Sequence, residues 1–315
     1  MSSLRHKVEH GGIAVIRGLV GVLPPSVVRA LGAGLGLTFY AVDRVHRNVA
    51  MTNLATAFPQ RTVAERRRIC RAMFVHFGRV LFELLRFSTL SPEGMRRLIE
   101  FDGEERVVAA FAQGKGVLFF TGHFGHWEVQ AIGHGLVHPP VGVLARALDN
   151  PMLNELLEQI RGKTGNFVIY RQGAVRKVLR ALAAGQGVAM LIDQHMNSPD
   201  AIYVDFFERP AATTSMLAAL ALRTGAPVVP VFALPMPGGR YRLIYEHAVP
   251  PPDQDSPDAI REFTQRCTDV LEMYVRRHPH LWLWMHRRWR DTGADLAAVP
   301  GMFPSVAAEP DENPE

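Results

Sequence analysis

The sequence predicts an α/β fold with a mixed, largely parallel central sheet flanked by helices, and an apolar, membrane-associating helical segment at its N-terminus. Three observations lead to this prediction. Short apolar runs alternate with helical stretches from residue 115 onward, which is the pattern of buried strands and their crossover helices. A long amphipathic helix precedes them at 61–88. Near the N-terminus, two apolar runs are separated by a pair of prolines.

The composition is that of a folded protein. Its 315 residues are 48% hydrophobic and 21% charged, which excludes general disorder and a polytopic membrane protein. The 35 basic and 30 acidic residues give a net charge of +5, which favours phosphates, an anionic lipid surface or an acidic protein as partners. Cys70 and Cys267 belong to no CxxC or Cys/His metal pattern, so we expect a reducing, cytoplasmic-facing location.

Residues 1–45 form the predicted membrane-associating segment. Its apolar runs, 11–23 and 26–42, are each shorter than the roughly 20 residues that a spanning helix needs, so we expect them to lie in the membrane interface. Basic residues flank the runs, as suits the anionic headgroups of a cytoplasmic leaflet. A buried pair of core helices is the alternative interpretation.

The helix predicted at 61–88 has one apolar face and one basic face. Such a basic face is usually only solvated, and binding of a phosphate by Arg66, Arg67 or Arg68 is the less favoured interpretation.

The sheet is predicted from six apolar runs, which lie at 116–122, 141–145, 167–170, 188–192, 227–232 and 241–245. The last run alternates more plainly, as an edge strand does. A final helix is predicted at 258–277, and an acidic, proline-containing disordered tail at 295–315.

The strongest local signal is the stretch Gly-His-Phe-Gly-His-Trp-Glu at 122–128, which directly follows an apolar run. Its glycines permit a tight turn at the carboxyl end of a strand, the edge where open α/β sheets carry their active sites. We expect Glu128, on the first turn of the next helix, to reach back to the ring of His123 and orient it as a base. The spacing alone is common, and surface or helix-capping roles are the alternative.

Set in this stretch, His123 and Glu128 resemble the HX4(D/E) motif of the late lipid A acyltransferases and their relatives. These include lauroyl and myristoyl transferases and the mycobacterial phosphatidylinositol mannoside acyltransferases. The similarity covers nearly the whole chain, from the apolar N-terminus with Arg47–Leu54 to the closing Trp284–Trp289, and several matched blocks in the right order are far more specific than one motif.

The resemblance implies an acyltransferase domain at 46–294. It would move a fatty acyl chain from a thioester donor, acyl-carrier protein or acyl-CoA, to a hydroxyl of a membrane glycolipid or phospholipid, such as a lipid A precursor. It also implies the cytoplasmic face of the cell inner membrane, no cofactor and no metal.

Carried over by position, His123 resembles the general base of the family and Glu128 its carboxylate partner. Arg146, Asn150 and Arg161 resemble substrate-binding positions, where an arginine would hold a phosphate or polarise an oxyanion. A structural salt bridge is the alternative for either arginine. Asp193 follows a predicted strand at the active edge, where it would support the substrate site or cap a turn.

Other functions compete for the same residues. His123, His126 and Glu128 are possible zinc ligands of a metal-dependent hydrolase, although they lack a third spaced histidine. A non-catalytic lipid-binding protein is a further alternative. The Trp- and Arg-rich stretch 276–290 predicts a surface that meets headgroups or an acidic carrier protein. Nucleic acid is disfavoured as a partner, because no recognised binding motif accompanies this stretch.

Overall fold

The computed structural model describes residues 2–198, 201–253, 256 and 258–290, so the tail predicted at 295–315 lies outside the described residues. The helices are α1 (Ser2–Val22), α2 (Pro25–Val42), α3 (Arg44–Ala57), α4 (Val63–Phe87), α5 (Pro92–Arg96), α6 (Glu104–Phe111), α7 (Trp127–Val137), α8 (Pro151–Gly162), α9 (Ala174–Ala183), α10 (Met216–Thr224) and α11 (Ala259–Arg277). The strands are β1 (Ile99–Asp102), β2 (Val117–Thr121), β3 (Val141–Ala145), β4 (Phe167–Tyr170), β5 (Gly187–Leu191), β6 (Ala201–Asp205), β7 (Pro210–Thr214), β8 (Val228–Met236) and β9 (Arg240–Tyr245).

Seven strands form the central sheet, in the order β1-β9-β8-β2-β5-β3-β4. Every pair is parallel except β8 with β9. The predicted fold class is therefore confirmed, and a strand overlaps each of the six predicted runs. The sequence reasoning missed β1 and the separate antiparallel hairpin of β6 and β7.

The edge position expected for 241–245 is wrong, because β9 lies between β1 and β8. Tyr241, Leu243 and Tyr245 are buried, whereas Arg240 and Arg242 face outward and pair with Glu100 of β1. The alternation of apolar and polar residues that suggested an edge strand thus arises because one face of β9 is exposed to solvent.

The sheet has an apolar core on each face, as the alternation of side chains along β2 shows. Leu118 and Phe120 belong to the core formed with α3, α4 and α9–α11. Val117 and Phe119 belong to the core formed with α5–α8. Strands buried on both faces read as continuous apolar runs, which is why β2 was recognisable in the sequence.

The N-terminal segment forms two helices that break at Pro24-Pro25, as predicted. By length and composition α2 is apolar enough to cross a membrane, and only 17% of it is buried. That exposure argues against a buried core helix for α2. The exposed large apolar side chains of α1 and α2 are Leu4, Val8, Val15, Leu19, Val22, Val27, Leu31, Phe39 and Val42.

The amphipathic helix predicted at 61–88 is α4, and its N-terminus is fixed by a capping box. The Thr62 hydroxyl accepts from the Glu65 amide, and the Glu65 carboxylate accepts from the Thr62 amide. α2 packs against this helix at Gly32, Gly36 and Gly78, where the backbones approach closely.

We expect Gly36→Ala to lower the free energy of unfolding by about 1–3 kcal/mol, because overpacking a tight contact displaces the backbone. A Cβ at Gly36 would lie 2.2 Å from the Phe74 carbonyl oxygen. Gly34→Ala is the matched control on the same helix, since nothing lies within 4 Å of its Cβ. It should be neutral or stabilise by up to about 1 kcal/mol. Urea unfolding compares the two, and equal effects would contradict the close packing of α2 on α4.

The expectation that the tryptophans of 276–290 meet lipid headgroups is wrong for two of them. Trp282 and Trp284 are buried in the core, and so is the guanidinium of Arg288. Asn53 of α3 donates to the carbonyls of Trp284 and His286, at 2.7 Å each, and so joins α3 to the segment that follows α11.

Candidate active site

The site lies where the neighbouring strands β2 and β5 end. Thr121 pairs with Leu191 at the last register position, so the chain that follows each strand emerges at the same edge. Gly122 allows this approach, because a Cβ there would lie 2.9 Å from the Asp193 carboxylate. Gly125 turns the chain into α7 with φ +58°, a left-handed conformation that suits glycine.

Asp193 holds His123 from two sides. Its Oδ1 lies 2.9 Å from His123 Nδ1, and its Oδ2 accepts from the His123 backbone amide at 2.7 Å. The buried indole of Trp282 also donates to Oδ2, at 2.7 Å. The carboxylate, which is 2% exposed, thus has three partners and a fixed orientation.

This arrangement assigns the proton of the neutral His123 ring to Nδ1, since an ionised carboxylate can only accept. The opposite nitrogen, Nε2, then carries a lone pair. It lies 3.3 Å from the amide nitrogen of Gln194, which donates to it. The ring is 19% exposed at its side chain and contacts Trp127 edge to face, so an acceptor nitrogen is held at a partly open position.

The electrostatics favour a proton on the ring. Burial lowers the pKa of His123, but the charge and hydrogen bond of Asp193, together with the charge of Glu128, raise it by more, so the net shift is upward. Burial raises the pKa of Asp193, while the charge of His123 and its hydrogen bonds lower it to about 2. Asp193 therefore stays ionised near neutral pH and stabilises the imidazolium.

The prediction that Glu128 hydrogen-bonds to the ring of His123 is wrong. Glu128 instead forms a bidentate ion pair with Arg161 of α8, at 2.9 and 2.6 Å, and also accepts from the Trp127 indole at 3.2 Å. The reason is geometric: the first turn of α7 faces α8, and the Nδ1 side of the ring is already occupied by Asp193. Glu128 acts on His123 through its charge.

We expect Arg161→Ala to lower the free energy of unfolding by about 3–5 kcal/mol, because it leaves Glu128 charged and buried without its partner. Arg146→Ala is the matched control. Its ion pair with Asp149 is 71% and 92% exposed at the two side chains, so its loss should cost no more than about 1 kcal/mol. Chemical denaturation measures both. Similar losses for the two variants would show that the Glu128–Arg161 pair contributes no more than a surface pair.

Of the predicted substrate-binding residues, Arg146 and Arg161 line the cavity that opens beside His123, whereas Asn150 and Asp193 do not. Arg146 lines the main cavity, but its side chain is exposed and pairs with Asp149 at 2.9 Å. Asn150 is outside the lining. Its side-chain oxygen accepts from the Met152 backbone amide and so caps α8, and its side-chain nitrogen donates to Glu9 of α1. Asp193 also lies outside the lining, as the partner of His123. Asn150 therefore has a capping and packing role in this structure.

His126 lies away from the other proposed metal ligands. Its ring is fully buried, packs against Phe87 and Tyr241, and neither ring nitrogen has a hydrogen-bond partner among the described residues. Burial lowers its pKa to about 3, so it is neutral. Within the described part of the chain, no three His, Cys, Asp or Glu side chains are grouped to hold a metal ion.

A cavity of about 910 Å³ opens at the site, and His123 and Arg161 are among its lining residues. Its wall combines apolar side chains on and beside the sheet, such as Val143 and Met190, with polar groups at the strand ends. This is the usual composition of a site for an organic ligand.

Comparison with known proteins decides the family. A sequence model of the bacterial lipid A biosynthesis acyltransferases matches residues 2–291. The chain belongs to this family. As an acyltransferase of lipid A biosynthesis it requires an acyl donor and a lipid acceptor, and the predicted enzyme class is confirmed.

Several characterised acyltransferases resemble the chain over most of its length. The lipid A biosynthesis lauroyltransferase of Escherichia coli K12 is 28% identical over 281 residues, 89% of this chain and 90% of that protein. The lipid A biosynthesis acyltransferase of Haemophilus influenzae is 25% identical over 285 residues, 88% and 87% of the two chains. The phosphatidylinositol mannoside acyltransferase of Mycobacterium tuberculosis is 24% identical over 218 residues, 68% and 67%.

Sequence reasoning on this acyltransferase missed two partners in the site. Trp282 was assigned to a headgroup surface, although its indole holds Asp193. Arg171, which follows β4 and lines the cavity, was not singled out. Its position at a strand's carboxyl end, like that of Asp193, was the available signal.

Proposed function

We propose that this acyltransferase moves a fatty acyl chain from acyl-carrier protein to a hydroxyl of a lipid A precursor, with His123 as the general base. The observation that carries the proposal is the pairing of His123 Nδ1 with Asp193 at 2.9 Å, which leaves Nε2 as the acceptor nitrogen beside a large cavity. The lauroyl- and myristoyltransferase names of its relatives supply the acyl class.

In the proposed reaction the acceptor hydroxyl takes the place of Gln194 at His123 Nε2. Nε2 removes the hydroxyl proton as the oxygen attacks the thioester carbonyl carbon. The carbon–sulfur bond then breaks, the imidazolium returns its proton to the leaving thiolate, and an ester remains. Asp193 keeps the ring in the reactive tautomer and stabilises the imidazolium between the two steps.

Arg161 and Glu128 line the same cavity as His123 and shape it in this proposal. Their ion pair holds α8 against the start of α7, and a fixed guanidinium offers donors to an oxyanion or phosphate. Arg146 and Arg171 line the more exposed part of the cavity, where they meet the phosphates of an acidic lipid. The cavity volume of about 910 Å³ lies within the range of sites that enclose a whole organic ligand.

We also propose that the protein works at the cytoplasmic face of the cell inner membrane. The exposed apolar side chains of α1 and α2 provide the contact with the bilayer. Arg44 and Arg47 follow α2 in the sequence and suit an anionic leaflet.

The proposal is tested by incubating the purified protein with lauroyl- or myristoyl-carrier protein and a lipid A precursor, and identifying the product by mass spectrometry. Acyl-CoA and a lysophospholipid acceptor are the parallel arms. A gain of one acyl ester on the lipid A precursor, retained in a strong chelator, is the expected result. Transfer only to the other acceptor would refute the lipid A assignment, and loss of activity in chelator, restored by zinc, would favour the metal-dependent reaction.

A further inference from the structure

A second cavity, of about 500 Å³, lies between α2, α4, the end of β8 and the segment that follows α11. It shares no lining residue with the cavity at His123. We call it the basic pocket, defined by Arg29 of α2 and by Arg68, Arg71 and Arg79 of α4. The three residues of α4 lie on one helical face, so their side chains reach the same concavity.

The charges of the basic pocket are largely uncompensated. Glu83 is its one acidic lining residue, and it pairs with Arg29 at 2.6 Å. No described carboxylate lies within ion-pair distance of the other three arginines. Nε of Arg79 is buried and, among the described residues, has no hydrogen-bond partner. Arg68, Arg71 and Arg79 therefore have no fixed counter-charge among the described residues, and an anion bound in the pocket would supply one.

We propose that the basic pocket binds a phosphate group. Arginine suits this role because its planar guanidinium donates two parallel hydrogen bonds to phosphate oxygens. The phosphate has two possible sources, a lipid headgroup and a free phosphate ester. The position of the pocket favours the lipid, since Val27 and Leu31 of the same helix as Arg29 are exposed apolar residues that would meet acyl chains.

The occupant of the pocket would contact a side chain that holds the catalytic turn. His76, which lines the pocket, donates from Nε2 to the Gly125 carbonyl at 2.9 Å. Burial lowers the pKa of His76 to about 4, so this ring is neutral and leaves the positive charge to the arginines. The phosphate site is thus separate from the reacting groups but adjacent to the turn that carries them.

The test measures binding, so it does not depend on the proposed acyl transfer. The full-length protein in a non-ionic detergent is titrated calorimetrically with dihexanoylphosphatidylglycerol, dihexanoylphosphatidylcholine, glycerol 1-phosphate and inorganic phosphate. We expect Arg71→Gln/Arg79→Gln to weaken binding of the anionic probes by about tenfold or more. The control Arg176→Gln/Arg180→Gln removes the same charge from exposed positions of α9. It should change the affinity for the anionic probes by less than about twofold.

The probes separate the two sources of phosphate. If dihexanoylphosphatidylglycerol binds at least about tenfold more tightly than glycerol 1-phosphate, the site takes a lipid headgroup, whereas similar affinities identify a free phosphate ester. Arg68→Gln/Arg71→Gln changes only exposed side chains, so it tests the site if the first variant unfolds. The proposal is overturned if no anionic probe binds, or if Arg176→Gln/Arg180→Gln weakens binding of the anionic probes as much as Arg71→Gln/Arg79→Gln does.

Discussion

We expect His123→Ala to lower kcat/KM for acyl transfer by about 10²–10⁴-fold, the usual contribution of a positioned general base. The fold should survive, because Asp193 keeps two of its donors, the backbone amide of residue 123 and the Trp282 indole. Initial rates are measured with saturating donor, together with the thermal midpoint of unfolding. These two measurements distinguish loss of the catalytic base from loss of activity through unfolding.

Gln194→Ala is the matched control for this variant. It removes the side chain that lies 3.3 Å from His123 Nε2 but leaves the base and its partner intact. Because that amide is displaced by the acceptor in the proposed reaction, kcat should change by less than about tenfold. A folded His123→Ala protein with wild-type activity would remove the base from the mechanism.

Much of the fold was accessible from the sequence, for a physical reason. Strands covered by helices on both faces must be apolar at every position, so β2, β3, β5 and β8 appear as continuous apolar runs. Strand β1, Ile99–Asp102, was missed because it is four residues long and carries two carboxylates. Its Glu100 is tolerated because it pairs with arginines of β9.

The site was only partly accessible, because strand order is not visible in one sequence. Both His123 and Asp193 could be placed after strands at the active edge. They are 70 residues apart, and only the adjacency of β2 and β5 brings them into contact. Because the strand order was not known, the nearby Glu128 was chosen as the partner of His123, although its carboxylate forms an ion pair with Arg161.

The Trp-rich C-terminal segment shows a second limit of sequence reasoning. Aromatic and cationic residues together are typical of a membrane interface, but they are equally suited to a buried polar network. Arg288 donates to the Ala212 carbonyl and the Thr213 hydroxyl of β7, so this buried arginine links the C-terminal segment to β7. Composition does not distinguish the two environments, because both require a long cationic side chain beside rings.

The second large effect is expected from Asp193→Asn, which should lower kcat by about 10⁴-fold, the loss seen when the aspartate of a serine protease triad is replaced by asparagine. The His123 amide and the Trp282 indole both donate to Oδ2, so they fix the amide oxygen of the introduced asparagine at that position. Its NH₂ group then faces Nδ1 and donates to it. The ring proton must move to Nε2, and Nε2 can no longer accept a proton from the hydroxyl.

The pH dependence distinguishes this tautomer effect from general damage. In the wild type the base must be neutral, so activity rises with pH as His123 loses its proton. Burial lowers the pKa of His123, but Asp193 and Glu128 raise it by more, so it lies above the ordinary histidine value. Asp193→Asn removes the main charge that raises this pKa, so the acidic limb of the residual activity should move to lower pH. Trp282→Phe, which keeps the carboxylate, is the control and should leave the limb near its wild-type position. An unshifted limb in Asp193→Asn would mean that His123 is not the group titrating in catalysis.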